Sequence, residues 1–113
     1  MASAMAPKMS TTFRVGLEQM CTGRDVDRNV EDAVALIREA AGKGAGYVQT
    51  PEITTLMEME RARLFAAIAP EEGNPAVARF AALARELGIW LHVGSMAVLL
   101  GSGKVANLSL IHI

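Results

Sequence analysis

Glu52 is the side chain in this sequence best placed to do chemistry. It closes the stretch Gly46-Tyr47-Val48-Gln49-Thr50-Pro51-Glu52. Tyr47 and Val48 suit a strand. Pro51 has no N–H to give to a ladder, so regular pairing should end there. Glu52 then stands just beyond the C-terminal end of a buried strand. In sheets that alternate with helices, that edge is where ligands bind. A carboxylate held there by a stiff Pro is placed like a general base. The same position also suits a loop Glu that caps the next helix. On position alone both readings stand.

The other reactive side chains are few. The chain has one cysteine, Cys21, and two histidines, His92 and His112. Without a spaced carboxylate cluster they make no metal site. His92 sits among apolar strand residues and reads as a structural histidine. Gly42-Lys43-Gly44-Ala45-Gly46 follows a helix and precedes a strand, the reverse of what a phosphate-cradling loop needs, and reads as a helix stop. Lys104 has Val98 where such a loop wants Gly, and Val105 where it wants Ser or Thr. No cofactor is expected.

These side chains need elements to hold them. Phe13, Val15 and Leu17 alternate with Arg14, Gly16 and Glu18, which predicts a first strand over Phe13 to Met20. After a loop at Cys21 to Asp25, Asp25 or Asp27 can cap a helix over Val26 to Lys43. Val30, Ala33, Val34, Ile37, Ala40 and Ala41 fall on one face of it. Strand, helix, strand in this order implies a right-handed unit with parallel strands. An irregular loop is expected over Ile53 to Glu58 and a short helix over Glu58 to Ile68. A second amphipathic helix should run from Pro75 to Leu87, with Val77, Phe80, Ala81, Ala84 and Leu87 buried. Gly88 closes it. Ile89 to Leu100 reads as a third strand, turned at Gly101 to Lys104 into an antiparallel fourth strand that begins at Val105.

The 113 residues make about one small domain. The chain is 51% hydrophobic and 20% charged with net charge −1, a globular composition with no electrostatic case for nucleic acid or an anionic membrane. One Trp, one Tyr and three Phe leave no stacking platform for single strands. A single cysteine excludes an internal disulfide and fits a reducing, cytoplasmic setting. Residues 1–12 carry no secretory signal and are expected to be loose. The most apolar run, Ile89 to Leu100, is too short to cross a bilayer.

Taken together, residues 13–107 resemble the N-terminal part of the nitrilase superfamily, the carbon–nitrogen hydrolases. The resemblance rests on Val15-Gly16-Leu17-Glu18-Gln19-Met20, Asn29, Lys43-Gly44-Ala45 and Thr50-Pro51-Glu52. It continues through Leu83-Ala84-Arg85-Glu86-Leu87-Gly88-Ile89-Trp90, Val93-Gly94-Ser95 and Ala106-Asn107. The Gln19-Met20 pair and the Trp90 region are most similar to Nit-type amidases, which act on deaminated glutathione or omega-amide acids. The resemblance implies an α/β fold, the truncated N-terminal part of an α-β-β-α sandwich. It also implies hydrolysis of a small-molecule amide or nitrile by a Cys–Glu–Lys triad. Glu52 is then the general base. The family places its Lys and its nucleophilic Cys downstream of the Asn107 position, so neither is expected in this chain, and the chain alone should be inactive. Cys21 follows the wrong strand to be that nucleophile. Homo-oligomers are typical of the family.

Leu108-Ser109-Leu110-Ile111-His112-Ile113 also translates CTG TCT CTT ATA CAC ATC, which looks like the mosaic end of a transposase sequencing adapter. Asn107 is therefore expected to be the last native residue, with residues 108–113 a non-native tail. Other classes fit less well. A receiver-type module needs an acidic pair where Gln19-Met20 stands. A nucleotide-binding half-domain needs a Gly-rich turn where Cys21-Thr22-Gly23-Arg24 supplies one Gly. A non-catalytic binding module remains the alternative to a hydrolase.

Overall fold

The computed structural model describes residues 12–113. The expected loose N-terminus, residues 1–12, lies outside them except for Thr12. In chain order the elements are β1 (Val15–Leu17), α1 (Val26–Gly42), β2 (Tyr47–Gln49), α2 (Arg61–Ala67), α3 (Pro75–Leu87), β3 (Trp90–Leu99) and β4 (Val105–His112).

The two long helices start and stop where side chains satisfy their ends. Asp25 caps α1, accepting from the Arg28 N–H at 3.2 Å. Asn74 caps α3, accepting from the N–H groups of Ala76 at 3.0 Å and Val77 at 3.4 Å, with Pro75 as the first helical residue. Lys43 closes α1 with its N–H on the carbonyls of Glu39 and Ala40, so the Gly42–Gly46 run is a helix stop. Gly88 closes α3 at a φ of 64°, a conformation that favours glycine. The expected helix from Glu58 starts three residues later, at Arg61. Glu60 is still extended, and the Glu58 side chain is engaged elsewhere.

The sheet order is β1-β2-β3-β4, parallel except for the β3–β4 hairpin. Both long helices lie on one face. Val30, Val34 and Ile37 of α1 meet Phe80, Leu83 and Ala84 of α3 over Val48, Leu91, Val93, Met96 and Val98. Each large side chain so buried contributes about 1.5–3 kcal/mol. Leu83 and Ala76 join this core in place of the expected Ala81, Val77 and Leu87, which are only partly buried. The Arg38–Glu86 and Arg79–Glu31 pairs bind the two helices at the surface, where such pairs add little.

The first strand is shorter than the alternation predicts, and its apolar side points away from the helices. Gly16 faces α1 so closely that a Cβ there would lie 2.8 Å from the Ala40 Cβ. Phe13 and Leu17, 75% and 74% exposed, line the other face with Val15 and the half-exposed Trp90. One helix layer and one sheet are therefore present among the described residues. The second sheet and second helix layer of the expected sandwich are not among them. Residues 108–112 continue β4, with Leu108 opposite Met96 and Leu110 opposite Val93. No helix of the described residues is long and apolar enough to cross a membrane.

An apolar sheet face that the described residues leave uncovered, between edge strands that they leave unpaired, favours self-association. The thermal midpoint of this chain should rise with protein concentration, with matching growth in light scattering. A sharp, concentration-independent melt of a monomer would show the face to be inert.

Candidate functional site

The end of β2 is locked to β3 by a dense set of short contacts. The last parallel rung runs from the Thr50 N–H to the His92 carbonyl at 3.0 Å. Pro51 then interrupts the ladder, and the chain bends across β3 at Gly94-Ser95. There β3 carries one residue more than its partner: Val93 faces Leu110 and Met96 faces Leu108. Such bulges re-aim side chains and recur beside functional sites.

Gly94 is required at the crossing. A Cβ there would lie 2.4 Å from the Thr50 carbonyl oxygen and 2.6 Å from that of Pro51, both backbone atoms with no freedom to retreat. The Gly94 N–H instead donates to Thr50 Oγ1 at 3.2 Å. Thr50 Oγ1 and Thr54 Oγ1 are hydrogen bonded at 2.8 Å, and Thr54 Oγ1 donates to the Pro51 carbonyl at 2.7 Å. Ser95 uses both its side chain and its main chain. Its Oγ accepts from the Ile53 N–H at 2.8 Å, its carbonyl accepts from the Thr54 N–H at 2.8 Å, and its N–H donates to the Pro51 carbonyl at 3.3 Å. Thr50, Thr54 and Ser95 are all buried.

Glu52 stands at the crest of this turn, exposed, and its carboxylate makes no hydrogen bond or ion pair with the described residues. A free carboxylate at the C-terminal edge of a parallel strand is poised to accept a proton from a group brought to it. Its neighbour Ile53 has a φ of 56°, the only positive φ of a non-glycine among the described residues. A β-branched residue in that region is strained, at a cost of about 1–3 kcal/mol.

Two further loops close around the turn. Asn29 of α1 is buried and bridges them: its Nδ2 donates to the Gly23 carbonyl at 2.8 Å and to the Thr55 carbonyl at 2.9 Å, while its Oδ1 accepts from the Gly23 N–H at 2.9 Å. Glu58, whose side chain is 3% exposed, has its carboxylate 3.1 Å from Arg24 Nε and 3.9 Å from Arg63. Neither oxygen accepts a directional hydrogen bond from the described residues, so the pairing is Coulombic. Nothing in the sequence marks Glu58 as buried, because the arginine opposite it is 34 residues away (58 − 24). Gly94 did carry a signal, since Gly inside a strand pattern marks a bulge or a close backbone approach.

The other candidates lie apart from Glu52 in the bonding network. Cys21 is a free, exposed thiol in the loop after β1. His92 is satisfied at both ring nitrogens, Nδ1 with Tyr47 Oη at 2.6 Å and Nε2 with Ser109 Oγ at 2.6 Å. Lys43 pairs with Glu39 at the end of α1. Among the described residues no group of three or more His, Cys, Asp or Glu could hold a metal ion. A groove of about 430 Å³ between the N-terminal ends of α1 and α3 is not lined by Glu52.

A parallel sheet ending in a clamped Pro-Glu turn, with helices on one face, matches a known class. The chain belongs to the carbon-nitrogen hydrolase family, which it matches over residues 14–109. Its fold is that of the nitrilase superfamily. Nit3 of Saccharomyces cerevisiae, a member of branch 10 of that superfamily, superposes with a TM-score of 0.76 at 22% identity, over 88% of this chain and 39% of Nit3. The NitFhit protein of C. elegans does so with a TM-score of 0.76 at 23% identity, over 88% of this chain and 24% of NitFhit. An amidase from Nesterenkonia sp. gives 0.70 at 23% identity, over 88% and 37%. The chain thus spans well under half the length of these structures.

Replacing Gly94 by Ala should destabilise the fold by about 1–3 kcal/mol, because backbone must move to admit the methyl group. Gly101→Ala, with nothing within 4 Å of its Cβ position, is the control and should shift the urea midpoint little at equal protein concentration. Glu18 gives a pH signature. Burial raises its pKa, helped by the charge of Glu39 and opposed by Lys43. The folded chain therefore holds that proton to higher pH than the unfolded chain, and this group's contribution falls as pH rises through the carboxylate range. Glu18→Gln should stabilise the protein at neutral pH and change little in acid, as read from denaturation midpoints at both.

Proposed function

We propose that this chain is the N-terminal part of a hydrolase of non-peptide carbon–nitrogen bonds, with Glu52 as its general base. The observation that carries this reading is the placement of Glu52: free at the end of a parallel strand, on a turn fastened to β3. In the reaction, Glu52 accepts the proton of a cysteine thiol as the sulfur attacks an amide or nitrile carbon. For an amide, Glu52 hands that proton to the leaving nitrogen, ammonia departs and a thioester remains. Glu52 then takes a proton from water as it attacks the thioester, releasing the acid and the thiol. A lysine ammonium offsets the negative charge that develops on the substrate oxygen or nitrogen.

Neither role is assigned within this chain: Cys21 is exposed in the loop after β1, the wrong strand for the nucleophile, and Lys43 pairs with Glu39. The nucleophile and the lysine are assigned to chain beyond Asn107, and the 113 residues alone are expected not to turn over substrate. The substrate is a small amide in preference to a nitrile, a choice supported by the amidase and Nit-type names among the similar structures.

The test begins at the genomic locus, sequenced across the codon for Asn107. The frame should continue into a lysine-bearing turn and then a cysteine after a later strand. The protein from that complete frame should release ammonia from omega-amide acids, and Glu52→Gln should lower the rate about 10²–10⁴-fold with folding intact. Turnover by the 113-residue chain that survives Glu52→Gln would place the chemistry elsewhere. A locus that encodes Leu108 to Ile113 and a stop would favour a binding role.

A further inference from the structure

Ile53 holds a conformation its side chain opposes, immediately after the proposed base. Glycine could make this turn at no steric cost. A β-branched residue stays at a φ of 56° only where its surroundings over-determine it. Those surroundings include the Thr50 and Thr54 hydroxyls and, gripping Ile53 itself, Ser95. The Ser95 Oγ takes the Ile53 N–H and its carbonyl takes the Thr54 N–H, each at 2.8 Å, while its own N–H reaches back to the Pro51 carbonyl. Ser95 therefore grips the chain on both sides of Glu52. It is buried in the β3 bulge, so its own position is fixed by the sheet. Glu52 has no side-chain partner among the described residues, and the direction of its carboxylate is left to its backbone. Pro51 fixes that backbone on one side by its ring, and Ile53 on the other by its strain.

We propose that Ser95 is a positioning residue for Glu52: it locks Ile53 in the left-handed conformation and so sets the direction in which the carboxylate leaves the sheet edge. Ser95 touches no reacting atom. The proposal rests on the reading of Glu52 as the base. A strained isoleucine is useful here because the locked turn has few alternatives, whereas glycine would populate positive and negative φ about equally. A general base must lie within hydrogen-bond reach of its proton, and a displacement of about 1 Å can cost about 10²-fold in rate.

The test uses the protein from the complete reading frame. Ser95→Ala removes the acceptor for the Ile53 N–H and should lower kcat about 10²-fold while KM stays nearly unchanged. Ser95→Thr restores a hydroxyl and should recover most of that loss. A second pair works without touching Ser95. Ile53→Gly should be more stable than Ile53→Ala, since glycine accepts the positive φ, yet slower, since it also accepts others. That inversion of stability and rate is not produced by a residue that only supports the fold. The proposal is overturned by full kcat in Ser95→Ala, by a loss that Ser95→Thr does not relieve, or by Ile53→Gly as fast as Ile53→Ala. If Ser95→Ala does not fold, the Ile53 pair decides. Full turnover in Glu52→Gln would instead sink the assignment of the base. Loss in Glu52→Gln with normal kcat in the Ser95 and Ile53 variants would sink the positioning role alone.

Discussion

The backbone of one strand passes directly over the backbone of another where Thr50 and Pro51 cross Gly94. Main chains come this close only when no Cβ intervenes, and a methyl group at Gly94 would sit well inside van der Waals contact distance of two carbonyl oxygens. The rest of the site depends on that approach. It brings Thr50 Oγ1 to the Gly94 N–H and Ser95 to the N–H groups of Ile53 and Thr54, so that these donors are paired within the protein. It also places the extra residue of β3 under the turn, where the ladder would otherwise have run straight on. A turn so held can carry a strained residue, which a solvated loop would relax.

The outer loops reinforce the same edge by different means. Asn29 uses all three of its polar contacts to bind the loop after β1 to the loop after Glu52, and burial makes each of them count. Glu58 uses charge. Its carboxylate is enclosed while Arg24 and Arg63 remain largely in solvent, so the pair holds an exposed cation against a fixed anion. Removing either arginine would leave that anion with less compensation than it needs.

Much of this architecture is legible in the sequence because it follows from local chemistry. The α1 and α3 boundaries are written in Asp25, Asn74, Pro75 and Gly88, whose caps act within a few residues. The end of β2 is written in Pro51, and the position of Glu52 follows from it. What the sequence hides is set at long range. Phe13, Val15 and Leu17 alternate as a strand should, but alternation does not say which face meets the helices, and here the apolar one does not. The left-handed Ile53 runs against its own residue type and is imposed by Ser95, 42 residues away. Glu58 looks like part of a helical charge pattern until Arg24 draws it in, which is also why α2 begins late.

Strand order in this sheet is the same as chain order. No strand has to be threaded between two that have already paired, and each new one joins an edge left open by its predecessor. Emerging residue by residue from a ribosome, the chain can add β2 to β1 and then β3 to β2 as each becomes available, with α1 and α3 closing over the growing sheet. The clamp on Glu52 is the exception to this running order. It waits for Gly94 and Ser95, so the turn that carries the carboxylate is synthesised well before the residues that give it its shape. Glu52 is thus among the earlier residues made and the later ones set, and its geometry becomes a report that β3 has docked in register.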